Sequence, residues 1–212
     1  MASIVSIETI DRATNENRVI ERSSSACIYQ PRRSLSIPSL QVSPLVQKSF
    51  DRWSEADHSG CYDILKKCVG VWKKMGTAEH YMIYGKHSPK SQSFQWEIIP
   101  YKKAIQQFLV LGTISFGGIP IPTFLIRKKV QELRAAFHRF TTPEPQVPNS
   151  NKQDPFCEPE VIKKQTIFSG KTVDVLYDIA PIGFEGERLH FLVVSKQHRE
   201  KFTDLTPEEY QE

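Results

Sequence analysis

Between Thr141 and Glu160 the chain reads TTPEPQVPNSNKQDPFCEPE, a stretch with five prolines. Proline lacks the N–H that helices and sheet ladders use, and it holds the preceding residue in extended conformations. No helix or central strand can run through such a stretch, and it buries little. It predicts a linker at residues 141–153, with one unit at 1–140 and a second at 154–212.

Before the linker, one periodicity dominates. Cys61, Ile64, Leu65, Cys68, Trp72 and Met75 fall on one face of a 3.6-residue repeat. The stripe predicts a long helix over Asp57–Met75, capped by Ser59 or Asp57 and ended at Gly76. Strand patterns flank it. ENRVIERSSSACIYQ predicts a strand or hairpin, and RRSLSIPSLQV a short strand with Leu35 and Ile37 on one side. EHYMIYGK and SFQWEIIPY, joined by HSPKSQ, predict a strand pair. A second amphipathic stretch, Arg127–Phe140, places Val130, Leu133, Phe137 and Phe140 together. After the linker, KKQTIFSG, KTVDVLYDIAP and LHFLVVSK are β-patterned, and DLTPEEYQ starts a helix. The fold class expected is α+β, an antiparallel sheet with a packed long helix.

Phe108–Ile126 carries no charged residue. Its length suits a membrane span. Gly117, Gly118, Pro120 and Pro122 interrupt it, and unpaired backbone in lipid is costly, so a buried helix-turn-strand is the expectation. The net charge is +4, with basic residues scattered or paired, so neither a nucleic-acid arm nor a polybasic membrane patch is expected. The opening stretch, MASIVSIETIDRATNE, has no basic region followed by an apolar one, so no secretory signal is read there. Cys27, Cys61, Cys68 and Cys157 form no C-x-x-C pair and no zinc-finger spacing. Cys61 and Cys68 read as core residues in a reducing compartment, the cytoplasm.

YDIAP at Tyr177–Pro181, HFLVVSKQH at His190–His198 and the following FTDLTPEEY resemble the first half of a histidine triad (HIT) domain. The resemblance runs from Phe156 onward. It departs at Ser195, where the family has proline, and at IGFEGERL, which lengthens the loop before His190. Residues 18–101 then resemble a degenerate HIT-like unit. RSLSIPS matches the central strand, with Arg33 where a histidine would stand. Asp57–Met75 matches the long helix, and the last strand pair matches the one that ends in His-x-His-x-His. Aligned on Ile99 and Pro100, the three triad positions become Ser93, Gln95 and Glu97. The whole would be a tandem: a degenerate first unit and the opening part of a second.

In that family a triad histidine attacks the α-phosphorus of a nucleotide. A neutral imidazole nitrogen can do this; an amide nitrogen cannot. The resemblance therefore implies no catalytic residue in this chain, no metal and no cofactor. Asp178 would accept hydrogen bonds from ribose hydroxyls, Ile179 would line the base slot, and His190 would stand beside the triad. Asp178 equally suits a turn before Ala-Pro, and His190 a partly buried spacer. His198, Lys196 and Arg199 are expected to face solvent, and His80, His87 and His138 have no partners at ligand spacing. The partner class implied is a nucleotide or nucleoside phosphate. The second unit, lacking its helix cover, would dock on the first or form a homo-oligomer. Three alternatives stay open: a non-catalytic scaffold, a truncated form of an active nucleotide hydrolase, or a compound domain pairing residues 57–101 with 160–196.

Overall fold

A hairpin opens the first sheet. The computed structural model describes residues 9–34, 39–78, 80–88, 92–102, 119–140, 155–177 and 191–212. They belong to two compact units, Met1–Glu144 and Pro145–Glu212. In chain order the first unit contains α1 (Ile10–Asn15), β1 (Val19–Arg22), β2 (Ala26–Tyr29), β3 (Arg33–Ser34), β4 (Leu40–Pro44) and α2 (Glu55–Lys74). It continues with β5 (His80–Ser88), β6 (Ser93–Tyr101), β7 (Ile119–Pro120) and α3 (Thr123–Arg139). Five strands form an antiparallel sheet in the order β1-β2-β4-β6-β5, while β3 and β7 pair separately. The α+β class is as expected. The strand expected around Leu35 and Ile37 falls largely on residues 35–38, outside those described; the sheet strand in that region is β4. The short helix α1, which no sequence pattern predicts, packs Ile10 and Ala13 against Cys27 and Tyr29.

The stripe on α2 meets one sheet face. Cys61, Ile64, Leu65, Cys68 and Trp72 are buried, with Tyr62 and Val71 beside them, and α2 packs on β2 and β4. Burial pushes the Cys68 and Cys61 thiols far up and that of Cys27 to about 11, as befits inert core thiols. Gly76, at φ +63°, closes the helix end. α3 begins at Thr123, ahead of the expected Arg127, because the apolar run supplies its first turn. Its buried face is Ile126, Val130, Leu133, Ala136 and Phe137. Arg134 ties it to the sheet, donating from Nε to the Val19 carbonyl at 2.6 Å. Most of Phe108–Ile126 lies outside the described residues, among which no helix is long and apolar enough to cross a membrane.

The second unit holds α4 (Pro159–Gln165), β8 (Thr166–Ser169), β9 (Val173–Tyr177), β10 (Phe191–Ser195) and α5 (Pro207–Gln211), with a sheet in the order β10-β9-β8. Pro159 at the start of α4 occupies the one helical turn where its missing N–H costs nothing. The first unit's sheet is complete within residues 19–101, and β8–β10 pair among themselves. By register, Phe168, Val175, Tyr177, Phe191 and Val193 share a face. Phe168 and Val193 are 60% and 68% exposed, so the apolar row stays wet. α5 starts with a reciprocal Thr206–Glu209 capping box.

α2 starts at Glu55 rather than Asp57, because its first turn is polar and its stripe begins only at Cys61. Ser54 is the cap. Its hydroxyl accepts from the Asp57 N–H at 3.3 Å, its own N–H donates to Asp57 Oδ2 at 2.7 Å, and Lys48 Nζ reaches the same oxygen at 2.6 Å. Burial alone would raise the Asp57 pKa, but Lys48 and Ser54 outweigh it and hold the carboxyl below its usual range. A depressed carboxyl adds stability that is complete above its unfolded-state value of about 4 and is lost as pH falls through the lower folded-state value. Asp57→Asn should cost about 1 kcal/mol at pH 7. In urea titrations the gap to the unmutated protein should narrow toward pH 3; a gap independent of pH would contradict this role.

Candidate functional site

Ser93, Gln95 and Glu97 alternate along β6 and therefore project from one sheet face. Gln41 on β4 stands opposite Glu97, and Tyr29 on β2 stands opposite Gln41. On the other side Tyr84 faces Glu97 and Lys86 faces Gln95. Directly opposed residues share a face, so the register sets Tyr29, Gln41, Glu97 and Tyr84 in a row across four strands, with Lys86 and Gln95 beside it. α2 covers the opposite face, where Ile28, Leu40, Val42 and Ile98 lie. The face of Ser93, Gln95 and Glu97 is thus polar by composition, yet Gln95 and Glu97 are 0% exposed and Ser93 3%.

These side chains partner one another in part. The Tyr29 hydroxyl donates to Gln95 Oε1 at 2.7 Å, and Gln41 Nε2 donates to Glu97 Oε2 at 3.1 Å. Lys86 pairs with that same oxygen of Glu97. Burial, and then the Glu97 carboxylate beside it, push the Tyr84 hydroxyl well above the ordinary tyrosine range. Gln95 Nε2, Gln41 Oε1, Glu97 Oε1 and both amide atoms of Gln30 find no hydrogen-bond partner among the described residues.

No described imidazole reaches this face's centre. His80 stacks on Tyr101 with ring centroids 5.4 Å apart, four residues along β6 from Glu97, or about 13 Å. His87 stands opposite Phe94, on the α2 side of the sheet. Gln95 carries an amide, which is not nucleophilic near neutral pH, and the Glu97 carboxylate is engaged by Lys86 and Gln41. Among the described residues no cluster of three or more His, Cys, Asp or Glu could hold a metal.

Asp178, Ile179 and His190 lie outside the described residues. Two other expectations need correction. Arg199 does not face solvent: its guanidinium grips both oxygens of Glu209 at 2.9–3.1 Å. Burial would raise the Glu209 pKa, but Arg199 and the Thr206 N–H lower it. His198 is half-buried rather than solvent-facing. The grouping Lys86–Glu97–Gln41 is not evident in the sequence, although Lys86 follows from strand register once HSPKSQ is taken as the turn.

No family model and no curated protein matches the chain. In fold it is similar to solved structures of histidine triad proteins and of uridylyltransferases. A Hit-like protein involved in cell-cycle regulation from Bartonella henselae is 14% identical, with 56% of this chain and 85% of that one covered and a TM-score of 0.45. The NitFhit protein of C. elegans is 11% identical over 57% of this chain, with a TM-score of 0.44; this chain spans 27% of its length. A uridylyltransferase is 12% identical over 60% of this chain and 44% of its own, with a TM-score of 0.47. At such identities the neighbours' activities do not transfer, and the chemistry open to this chain is set by its own side chains.

Lys86→Met would leave the Glu97 carboxylate buried without its cation. Removing one partner of a buried pair costs about 3–5 kcal/mol, whereas replacing both is nearly neutral. Denaturant unfolding should show that loss for Lys86→Met and recovery of most of it in Lys86→Met/Glu97→Leu. A single variant as stable as the unmutated protein would mean that the pair does not hold the face together.

Proposed function

We propose that this chain is a HIT-like nucleotide-binding protein, related to nucleotide hydrolases and transferases, that carries no nucleotidyl-transfer nucleophile. One observation supports it above the others: Gln95 and Glu97 stand at the triad positions of the resemblance, are fully buried, and are held by Tyr29, Gln41 and Lys86. A carboxylate there would repel an incoming phosphate, and its neighbouring cation is already engaged. The first unit serves as a degenerate structural partner. Residues 141–153 form the linker, and nucleotide contacts come from the second unit, through Asp178 to ribose hydroxyls and Ile179 to the base, with His190 at the position that stands beside the triad in the family. The residues next to them in sequence, Tyr177 and Phe191, pair across β9 and β10. Four free thiols fit a cytoplasmic location.

A second reading has its own support. The closed polar face suits a non-catalytic scaffold, because buried hydrogen-bonded polar side chains specify a packing rather than expose a reagent.

The test uses the full chain. Incubation with nucleoside phosphoramidates and dinucleoside polyphosphates should give no product above a buffer blank. Calorimetric titration with AMP, GMP and UMP should show binding, weakened at least tenfold in Asp178→Ala, about 1.4 kcal/mol. Turnover that survives His190→Ala would mean the chemistry lies elsewhere in the chain. Absence of binding to any nucleotide would leave the scaffold reading in place of this one.

A further inference from the structure

Cys157 differs from the other three cysteines. Cys27, Cys61 and Cys68 are buried, and Cys157 is exposed. Its sulfur sits in a 3-10 turn, Pro155–Cys157, that packs on α4. From the segment after β10, 41 residues later in the chain, His198 brings Nδ1 to 3.3 Å from that sulfur, within hydrogen-bond range for a thiol. A soft nucleophile in contact with an imidazole base, and open to solvent, is the arrangement that generates a reactive thiolate.

We propose that Cys157, paired with His198, is a site of covalent thiol chemistry that accepts a low-molecular-weight disulfide such as oxidised glutathione. The Cys157 thiol passes its proton to His198 Nδ1. The sulfur attacks one sulfur of the small disulfide; the new S–S bond forms as the old one breaks. The departing thiolate takes the proton back and leaves as a thiol. Cys157 is oxidised to the disulfide level, one half of the reagent is reduced, and no further oxidant is needed.

Charged groups stand on the surrounding elements. Glu158 and Glu160 stand at the start of α4, with Lys163 and Lys164 at its end. On β9, Asp174 lies 3.8 Å from Lys196. Arg199 is committed to Glu209, and Glu200 follows it in sequence. His198 is the imidazole that touches the sulfur.

The experiment exposes the folded full chain to oxidised glutathione and maps adducts by mass spectrometry of its peptides. The expected result is a single glutathionyl group on Cys157, with Cys27, Cys61 and Cys68 reacting only after unfolding. At pH 7 both His198→Ala and His198→Gln should react about tenfold more slowly, and the gap should close above about pH 9, where a thiol ionises unaided. Far-UV circular dichroism checks that each variant is folded. Rates equal to a free thiol's at every pH and indifferent to His198, or adducts spread evenly over the four cysteines, would overturn the proposal.

Discussion

A carboxylate removed from water has to be met inside the fold, and Glu97 on β6 sets that demand for the first unit. Lys86 answers it from β5 and Gln41 from β4, so the ion pair and the amide bond span three adjacent strands of the sheet. The desolvation penalty of the charge is several kcal/mol, and only correct strand register brings both partners to it. A one-residue slip would send Glu97 to the apolar face beneath α2. The cost of burying the charge therefore acts as a register lock. The same lock keeps Gln95 and Glu97 fully buried.

How much of this is legible in the sequence follows the physics of each signal. The stripe from Cys61 to Trp72 announces α2, and alternation announces β5, β6 and the β1–β2 hairpin, because periodicity is local. The true start of α2 escapes that pattern, since Ser54 and Asp57 cap through reciprocal hydrogen bonds that a hydrophobic stripe does not carry. α3 extends further toward the N-terminus than its stripe suggests for a related reason: its first turn is written in the same apolar letters as the segment before it. α1 is too short to show a period.

The site divides in the same way. Ser93, Gln95 and Glu97 can be picked out by alignment on Ile99 and Pro100, yet their burial and their partners cannot, because those depend on contacts up to 66 residues apart such as Tyr29 to Gln95. In the second unit, His198 and Arg199 look like surface residues beside Lys196. Their partners, Cys157 and Glu209, lie 41 residues earlier and 10 residues later. Both are short-range in space and invisible in composition.

The wet apolar row on β8–β10 has a thermodynamic consequence. Heat-capacity change on unfolding scales with the apolar surface that passes from protein to water. In the second unit Phe168, Tyr177, Phe191 and Val193 already stand 41% to 68% exposed, so melting it transfers little of their surface. Taken by itself, this unit is expected to have a shallow stability curve, with neither a pronounced optimum nor a steep decline on cooling. The first unit, with Trp72, Tyr29, Tyr62 and Phe137 fully enclosed, is expected to have a strongly curved one. Calorimetry of the one polypeptide should therefore show two characters.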